Sequence, residues 1–335
     1  MKKISLIIIV SVALLLRVYH VNVNPPSLSW DEVSIGYNAY SILTTGRDEH
    51  GRFLPFDTFV AYGDYKPPLA IYATVPFVAL FGLNELAVRI PSALFGVLTV
   101  FLTYFLVKEL VKQKSDALAL LSAGLLAASP WHINLSRGGF EANIALFFAI
   151  LGVWFVFKAR NTPRYWLFAW LPFVAAIYTF NSSRVFAVLL APALILFTWK
   201  AIKKNIRQFL FGILIAVITL TPIVPHLVSK EARLRFTEVN IFTDASVVTT
   251  ANTRIEREGG TLLSKILNNR RVGYARSYAL HFLDNLQPEF LFVRGDGNPK
   301  FSIQDVGQLY MVEAPFLVIG IFAMFLAYPA MAGLL

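Results

Sequence analysis

The 335-residue sequence contains no cysteine, and only 15% of its residues are charged. The first absence excludes disulfides, thiolate nucleophiles and cysteine-bound metals. The second is well below the value of about a quarter that soluble domains carry. Because 56% of the residues are apolar and the mean hydropathy is +0.60, a soluble globular protein is excluded. The composition predicts a protein that crosses a membrane several times.

Other signals are missing as well. The five histidines follow no metal-ligand spacing, so the sequence predicts no zinc site. There is no repeat of fixed period, which weakens the case for a transporter built from two similar halves. No small-residue cleavage site follows the first apolar run, which is therefore expected to remain as a membrane span.

Eight apolar runs are long enough to cross a bilayer, which takes about 20 residues. They cover residues 4–20, 90–107, 117–131, 140–157, 165–180, 185–199, 208–228 and 310–330. A ninth run, 67–83, is borderline in length and has Pro76 in its middle.

The basic residues indicate how run 67–83 is placed. If it does not cross and the N-terminus is inside, the short outer loops hold only Arg137 and Arg184. The inner segments then hold twelve basic residues: Lys2, Lys3, Lys108, Lys112, Lys114, Lys158, Arg160, Arg164, Lys200, Lys203, Lys204 and Arg207. Positive residues accumulate on the inner side. Run 67–83 is therefore predicted to be a juxtamembrane or re-entrant helix on the outer face.

Two long segments lie outside in this topology. The first, about 21–89, holds seven acidic and four basic residues, and the second, about 229–309, holds eleven basic residues. All five histidines also fall on the outer side or at its boundary. The ionisable chemistry is expected at the outer face, and the positive charge is interpreted as a membrane signal and not as a nucleic-acid site.

The first outer segment opens with a helix signal. Ser29 followed by Glu32 is a capping box, so a helix is predicted to begin there, with Trp30 and Asp31 in its first turn. Two interpretations stay open. Asp31 and Glu32 either complement the helix dipole, or one of them acts as a general base beside Trp30 just above the bilayer.

Several cationic residues of the outer side also have two interpretations each. Lys66, next to Tyr65 at the start of run 67–83, either lies among lipid headgroups or binds a phosphate. Arg184 and Arg137 sit in short outer turns, where they either reach the membrane surface or bind a lipid phosphate. Glu141 begins an apolar span, where an acid is costly unless it is paired or solvated.

A turn-rich string precedes the last apolar run. It contains Asp296 between two glycines, at 294–300. The glycines either let main-chain N–H groups approach an anion or simply form turns.

Together these motifs resemble the GT-C membrane glycosyltransferases, in particular the superfamily of protein O-mannosyltransferases and aminoarabinose transferases. The matching stretches are Trp30-Asp31-Glu32, Tyr65-Lys66-Pro67-Pro68-Leu69, Ala87-Val88-Arg89-Ile90-Pro91-Ser92-Ala93-Leu94, Ser129-Pro130-Trp131-His132, and Ser136-Arg137 followed by Glu141. They cover the first 160 residues, and after that the similarity is mainly topological.

The resemblance implies an all-α membrane enzyme with about eight spans. A seven-span catalytic module would cover 1–228, an outer loop 229–309 and an eighth span 310–335. Such an enzyme takes a sugar from a polyprenyl-phosphate carrier on the outer face and transfers it, with inversion, to a hydroxyl of a protein, lipid or glycan.

The resemblance also implies roles for residues. It implies that Asp31 is the catalytic base, and Glu32 is grouped with it as a catalytic candidate. Lys66, Arg137 and Arg184 become candidates for the donor phosphate. The remaining candidates for substrate contact are Trp30, Tyr65, Glu141 and Asp296.

The sequence departs from the family in two ways. Some relatives carry an acid directly before the Lys-Pro pair, where this chain has Tyr65, with Asp64 one residue earlier, so the participation of a divalent metal stays open. Relatives also commonly have eleven or more spans, so a truncated chain is expected. A flippase for lipid-linked saccharides and a non-catalytic binder are the alternatives, but apart from Arg17 and Glu141 the predicted spans are nearly free of charge, which favours the enzyme.

Overall fold

The computed structural model describes residues 2–111, 115–230, 232 and 240–327. The predicted inner-loop residues Lys112 and Lys114 and the last part of run 310–330 lie outside the described residues. The structure is mostly helical and contains several long apolar helices, which confirms the predicted class of an all-α membrane protein.

Fifteen α-helices occur within the described ranges. They are α1 (Lys2–Val18), α2 (Trp30–Thr45), α3 (Leu69–Phe81), α4 (Glu85–Leu110), α5 (Asp116–Ala128), α6 (Pro130–Arg137), α7 (Glu141–Ala159), α8 (Leu171–Ile177), α9 (Ser183–Lys204), α10 (Ile206–Leu220), α11 (Val224–Leu227), α12 (Ala245–Arg257), α13 (Leu262–Leu267), α14 (Arg270–Asp284) and α15 (Ala314–Ala327). Short 3-10 helices cover Pro163–Leu167, Thr221–Ile223, Ile241–Thr243 and Met311–Glu313, and a π-helical turn covers Glu289–Val293. Strands β1 (Phe59–Ala61) and β2 (Asp64–Lys66) form an antiparallel hairpin.

Four helical segments of the described chain are long and apolar enough to cross a membrane: α4, α7, α9 and the continuous stretch Ile206–Leu227. The pair α5 and α6, bent by 56°, makes a fifth if it is one broken span. Helix α1 has 17 residues, and run 165–180 forms a 3-10 turn followed by the seven-residue α8. The predicted number of eight spans therefore remains a prediction.

Helix α4 lies at the centre of the helical assembly and packs against α1, α3, α5, α6 and α7. The α1–α4–α5 interface buries small side chains such as Ala13, Ala119 and Ala123. Small residues let helices approach closely, which is how helices pack when lipid removes the hydrophobic drive between them. Helix α2 packs against α3 and α4, and α7 packs against α4, so both helices are held in this assembly.

Pro130 accounts for the break between α5 and α6. Proline lacks an N–H donor and disfavours the helical conformation of the residue before it, here Ser129. The carbonyls of Leu126 and Ala127, at the end of α5, accept hydrogen bonds from the fully buried Arg17 of α1 at 3.1 and 3.0 Å. The broken helix end is therefore satisfied inside the helical assembly.

The chain divides into two compact units. The first comprises Met1–Leu227 and Leu317–Leu335, and the second comprises Val228–Phe316. In the second unit, α12 packs against α13 and α14.

Candidate active site

Helix α2 begins at the predicted position. The Ser29 hydroxyl accepts a hydrogen bond from the Glu32 main-chain N–H at 3.4 Å, and the Glu32 carboxylate accepts one from the Ser29 N–H at 2.8 Å. The predicted capping box is thereby confirmed. It places Trp30 and Asp31 in the first turn of the helix.

The β1–β2 hairpin holds Lys66. Its two-residue turn consists of Tyr62 and Gly63, both with positive φ (52° and 80°), as a tight hairpin turn requires. The Thr58 hydroxyl donates a hydrogen bond to the Lys66 carbonyl at 3.0 Å. Asn181, from the turn before α9, donates to the Tyr65 carbonyl at 3.1 Å. The strand that carries Lys66 is thus fixed from both sides.

Lys66 lies between two carboxylates. Its Nζ atom is 2.7 Å from Asp31 Oδ1 and 3.3 Å from Glu141 Oε1. The Lys66 and Glu141 side chains are 8% and 12% exposed, whereas that of Asp31 is 30% exposed. Burial lowers the pKa of Lys66, but the Glu141 and Asp31 charges and hydrogen bonds outweigh it, so the pKa lies above its ordinary value. The cluster holds a stable ammonium ion beside a solvent-accessible carboxylate.

Glu32 has a different environment from its neighbour Asp31. It is 3% exposed, and its Oε1 atom accepts hydrogen bonds from Arg89 Nε at 2.9 Å and from the Gly139 N–H at 3.0 Å. A Cβ atom on Gly139 would lie 3.1 Å from Glu32 Cγ and 3.3 Å from the Val88 carbonyl oxygen. Glycine at 139 therefore allows the chain before α7 to approach α2 closely.

Arg89 is fully buried and binds the chain that leads into α2. Besides Glu32, it donates to the carbonyls of Val21, Pro25 and Ser27 at 2.7–2.9 Å. The sequence assigned no role to Arg89, although it belongs to one of the motif stretches. The signal that could have predicted a buried partner for Arg89 is its position as a charged residue within the first turns of an apolar helix.

Arg137 and Arg184 differ in their partners. Arg137 donates to the carbonyls of Leu16, Tyr19, His20 and Asn24, and so caps the end of α1. Arg184 has two buried nitrogen atoms, Nε and Nη2, without a hydrogen-bond partner among the described residues. Buried guanidinium nitrogens without a partner are costly, which makes this site suitable for an anion.

The other predicted site residues are spread more widely. Trp30 is 70% exposed, and its ring centroid is 6.4 Å from that of the exposed Tyr62. The Tyr65 ring lies 5.7 Å from that of His226. Asp296 belongs to the second unit, where its carboxylate accepts a hydrogen bond from the Asn298 N–H at 2.7 Å in a turn.

Metal binding was left open by the sequence. Across the part of the chain that the structure describes, no group of three or more His, Asp or Glu side chains could hold a metal ion. The Asp64 carboxylate, two residues before Lys66, accepts a hydrogen bond from the Tyr65 N–H at 2.8 Å.

Known proteins provide a comparison for this arrangement. The family model described as dolichyl-phosphate-mannose-protein mannosyltransferase matches residues 65–228, a range that includes Lys66, Glu141 and Arg184 but not Asp31. YycA and YkcB of Bacillus subtilis, mannosyltransferases by name, are 26% and 27% identical over 65% and 47% of this chain. An undecaprenyl phosphate-α-4-amino-4-deoxy-L-arabinose arabinosyl transferase of Pseudomonas fluorescens is 28% identical over 57% of it. The matches span 30%, 22% and 35% of the lengths of these three relatives.

Proposed function

We propose that this chain, which is similar to membrane glycosyltransferases of the GT-C superfamily, transfers a sugar from a polyprenyl-phosphate carrier to an acceptor hydroxyl. The observation that carries the proposal is the Asp31–Lys66–Glu141 cluster, in which a buried ammonium lies 2.7 Å from an accessible carboxylate. Sugar transfer from a phosphate needs a base for the acceptor and a cation for the leaving group, and this cluster provides one of each.

Asp31 is the proposed general base. Its carboxylate accepts the proton of the acceptor hydroxyl while the acceptor oxygen forms a bond to C1 of the sugar. The bond between C1 and the phosphate oxygen breaks on the opposite face, so the configuration at C1 inverts. The electron pair of the broken bond stays with the polyprenyl phosphate. The greater exposure of Asp31 within the cluster supports this role, because an acceptor must reach it.

Lys66 and Arg184 are the proposed ligands of the donor phosphate. The donor phosphate competes with Asp31 for the Lys66 ammonium and draws the ammonium toward the leaving group. The Asp31 carboxylate is then available to accept the proton of the acceptor hydroxyl. The two unpartnered nitrogens of Arg184 would gain an anionic partner at the same time. Asn181, three residues before Arg184, is bonded to Tyr65, so both cations are anchored around β2.

The remaining side chains have supporting roles in this proposal. Glu32, with its buried bond to Arg89, positions the first turn of α2 and does not accept the proton itself. Glu141 keeps the Lys66 ammonium charged and in place. The exposed rings of Trp30 and Tyr62 offer a surface for the acceptor next to Asp31. Arg137 is occupied by four carbonyls, so it is not assigned to the phosphate. The role of Asp296 stays a prediction from the sequence.

The proposed location is a cell membrane, with the N-terminus inside and the site on the outer face. The positive-inside distribution of the short loops supports this orientation. A hexose and a pentose are both proposed as the transferred sugar, since the relatives are named as mannosyl and arabinosyl transferases.

The deciding experiment compares wild type with Asp31→Asn, using a panel of radiolabelled polyprenyl-phosphate sugars and purified protein. Removal of a general base lowers the transfer rate by about 10²–10⁴-fold. Glu85→Gln is the matched control, because Glu85 is an exposed first-turn acid of α4 in the same outer segment. It should transfer at the wild-type rate.

Binding of the carrier lipid is measured in parallel. Loss of transfer by Asp31→Asn with retained carrier binding supports the proposal. Equal transfer by both variants would remove Asp31 from the mechanism. Carrier binding without transfer by wild type, for every sugar, would favour the flippase or a non-catalytic binder.

A further inference from the structure

Helix α14 of the second unit has an apolar face that nothing in the described chain covers. Tyr278, Phe282 and Leu283 are each more than half exposed, as is Leu286 just after the helix. The spacing of these residues puts them on one side of the helix. The other side packs against α12, where a Cβ on Gly273 would lie 2.8 Å from Val247. An exposed aromatic and aliphatic stripe of this size is typical of an interaction surface.

Helix α13 extends the same kind of surface. Leu262, Leu263, Ile266 and Leu267 are all more than half exposed, although they make up four of the six residues of the helix. Ser264 is the buried residue of α13. In α13 the polar Ser264 is buried and the four aliphatic side chains are exposed, which is unfavourable unless an apolar medium covers the aliphatic side chains.

The charge of this region identifies the medium. From α12 to α14, residues 245–284, there are six basic and three acidic side chains. Three of the basic residues, Arg270, Arg271 and Arg276, belong to α14 itself. A basic amphipathic helix with aromatic and leucine residues on one face lies in the plane of an anionic bilayer surface. A protein partner for this face would need an acidic groove that complements the basic residues.

A cleft beside the apolar face suits a lipid headgroup. It has a volume of about 340 Å³ and lies between α12 and α14. Arg254 and Arg276 line it together with Ser246, Thr250 and Ser277, and no acidic side chain is among the described residues around it. Guanidinium and hydroxyl groups together are the donors that bind phosphate oxygens.

The connections of this segment favour a membrane surface as well. It follows the apolar stretch Ile206–Leu227 and precedes the apolar α15. Both ends of the segment are thus joined to helices that belong in or at a bilayer. Such tethering makes docking on that bilayer an intramolecular event with a high effective concentration.

We infer that α13 and α14 form a membrane-docking surface that inserts its apolar face into an anionic lipid leaflet, with headgroup phosphates bound by Arg271, Arg276 and Arg254. This inference does not depend on the proposed sugar transfer, because it concerns the second unit and lipid contact alone.

Single-cysteine labelling tests the inference in the full chain, which has no native cysteine. Phe282→Cys and His281→Cys place a fluorophore on adjacent exposed residues about 100° apart around α14, the first on the apolar face and the second beside it. In nanodiscs that contain phosphatidylglycerol, lipid-borne nitroxide should quench the label at 282 but not that at 281. Aqueous iodide should show the reverse pattern.

A charge variant tests the anionic preference. With the label at 282, Arg271→Gln combined with Arg276→Gln should reduce the ratio of docked to undocked protein by about thirtyfold, since each basic residue near an anionic surface contributes about fivefold. Arg294→Gln combined with Lys300→Gln is the matched control, which removes two charges of the same unit outside α12–α14 and should have little effect. In nanodiscs made of phosphatidylcholine alone, which carries no net charge, the wild-type chain should dock more weakly.

Two outcomes would overturn the inference. One is equal iodide quenching at 281 and 282 in both lipid compositions. The other is protection of 282 only after a soluble acceptor or protein is added, which would assign the surface to a macromolecular partner.

Discussion

Arginines that bind carbonyl groups are the main polar feature at the residue scale, and two of them, Arg17 and Arg89, are fully buried. Arg17, Arg89 and Arg137 each donate to carbonyls at a helix end or in the connection after α1. In an apolar environment, carbonyls that lack an N–H partner are expensive. The guanidinium, with five donors in a fixed plane, can satisfy several of them at once. Arg89 and Arg137 therefore hold the connection from α1 to α2, the helix that carries Asp31.

The Glu32–Arg89 pair gives the first residue-scale prediction. Glu32→Gln removes the charge that balances a fully buried guanidinium, and breaking such a pair costs about 3–5 kcal/mol. We expect a large drop in the thermal unfolding midpoint, measured in detergent. The double variant Glu32→Gln with Arg89→Met should recover part of the loss, because no unpaired charge remains. Full stability of Glu32→Gln would contradict the positioning role.

Lys66 gives a pH-dependent prediction. Its folded pKa lies above the ordinary value of 10.5, so its contribution to stability is fully present below pH 10.5. The contribution is lost as the pH rises through the higher folded pKa. The difference in unfolding midpoint between wild type and Lys66→Met should therefore be constant from pH 7 to 10 and change only above that range. A difference that changes near neutral pH would contradict the ion pairs described here.

At the scale of elements, the β1–β2 hairpin determines where Lys66 lies. Its turn depends on Gly63 at φ +80°, a conformation that other residues adopt at a cost of about 1–2 kcal/mol. Two residues after the turn the chain reaches Tyr65, and then Lys66. Strain in the turn is therefore transmitted directly to the strand that carries the ammonium.

Gly63→Ala tests this dependence. We expect weaker binding of the donor lipid, because a distorted turn displaces Lys66. Gly297→Ala is the matched control: no atom lies within 4 Å of a Cβ at either position, but only Gly63 has a positive φ. Donor binding that responds equally to both substitutions would show that the turn conformation has no special role.

At the scale of the whole molecule, the arrangement in the membrane follows from the placement of run 67–83. Helix α3 within it has 13 residues, fewer than the roughly 20 that a crossing takes. If α3 does not cross, the loops that contain Ser27 and Ser182 lie on the same side. If it does cross, they lie on opposite sides.

Cysteine accessibility distinguishes the two arrangements. Ser27→Cys and Ser182→Cys should react with an impermeant maleimide added outside intact cells, whereas Lys204→Cys should react only after permeabilisation. All three positions are exposed. Reaction of the cysteine at 204, but not of that at 182, from outside would mean that the 67–83 run spans the membrane.

Local patterns in the sequence determined several features correctly. The apolar composition established the membrane class, the Ser29–Glu32 pair determined where α2 begins, and the motif spacing indicated the superfamily. Each of these depends on composition or on residues close together in the chain. Asp31, Lys66 and Glu141 could be named one by one for the same reason.

Only the tertiary structure decided how these residues meet. Lys66 contacts carboxylates that are 35 and 75 positions away, and Arg89 and Arg137 reach carbonyls 62 or more residues from them. Such contacts depend on how α1, α2, α4 and α7 pack, and helical periodicity contains no information on which neighbour a face meets. That is why the carbonyl partners of Arg137 and the buried partners of Arg89 could not be predicted from the sequence.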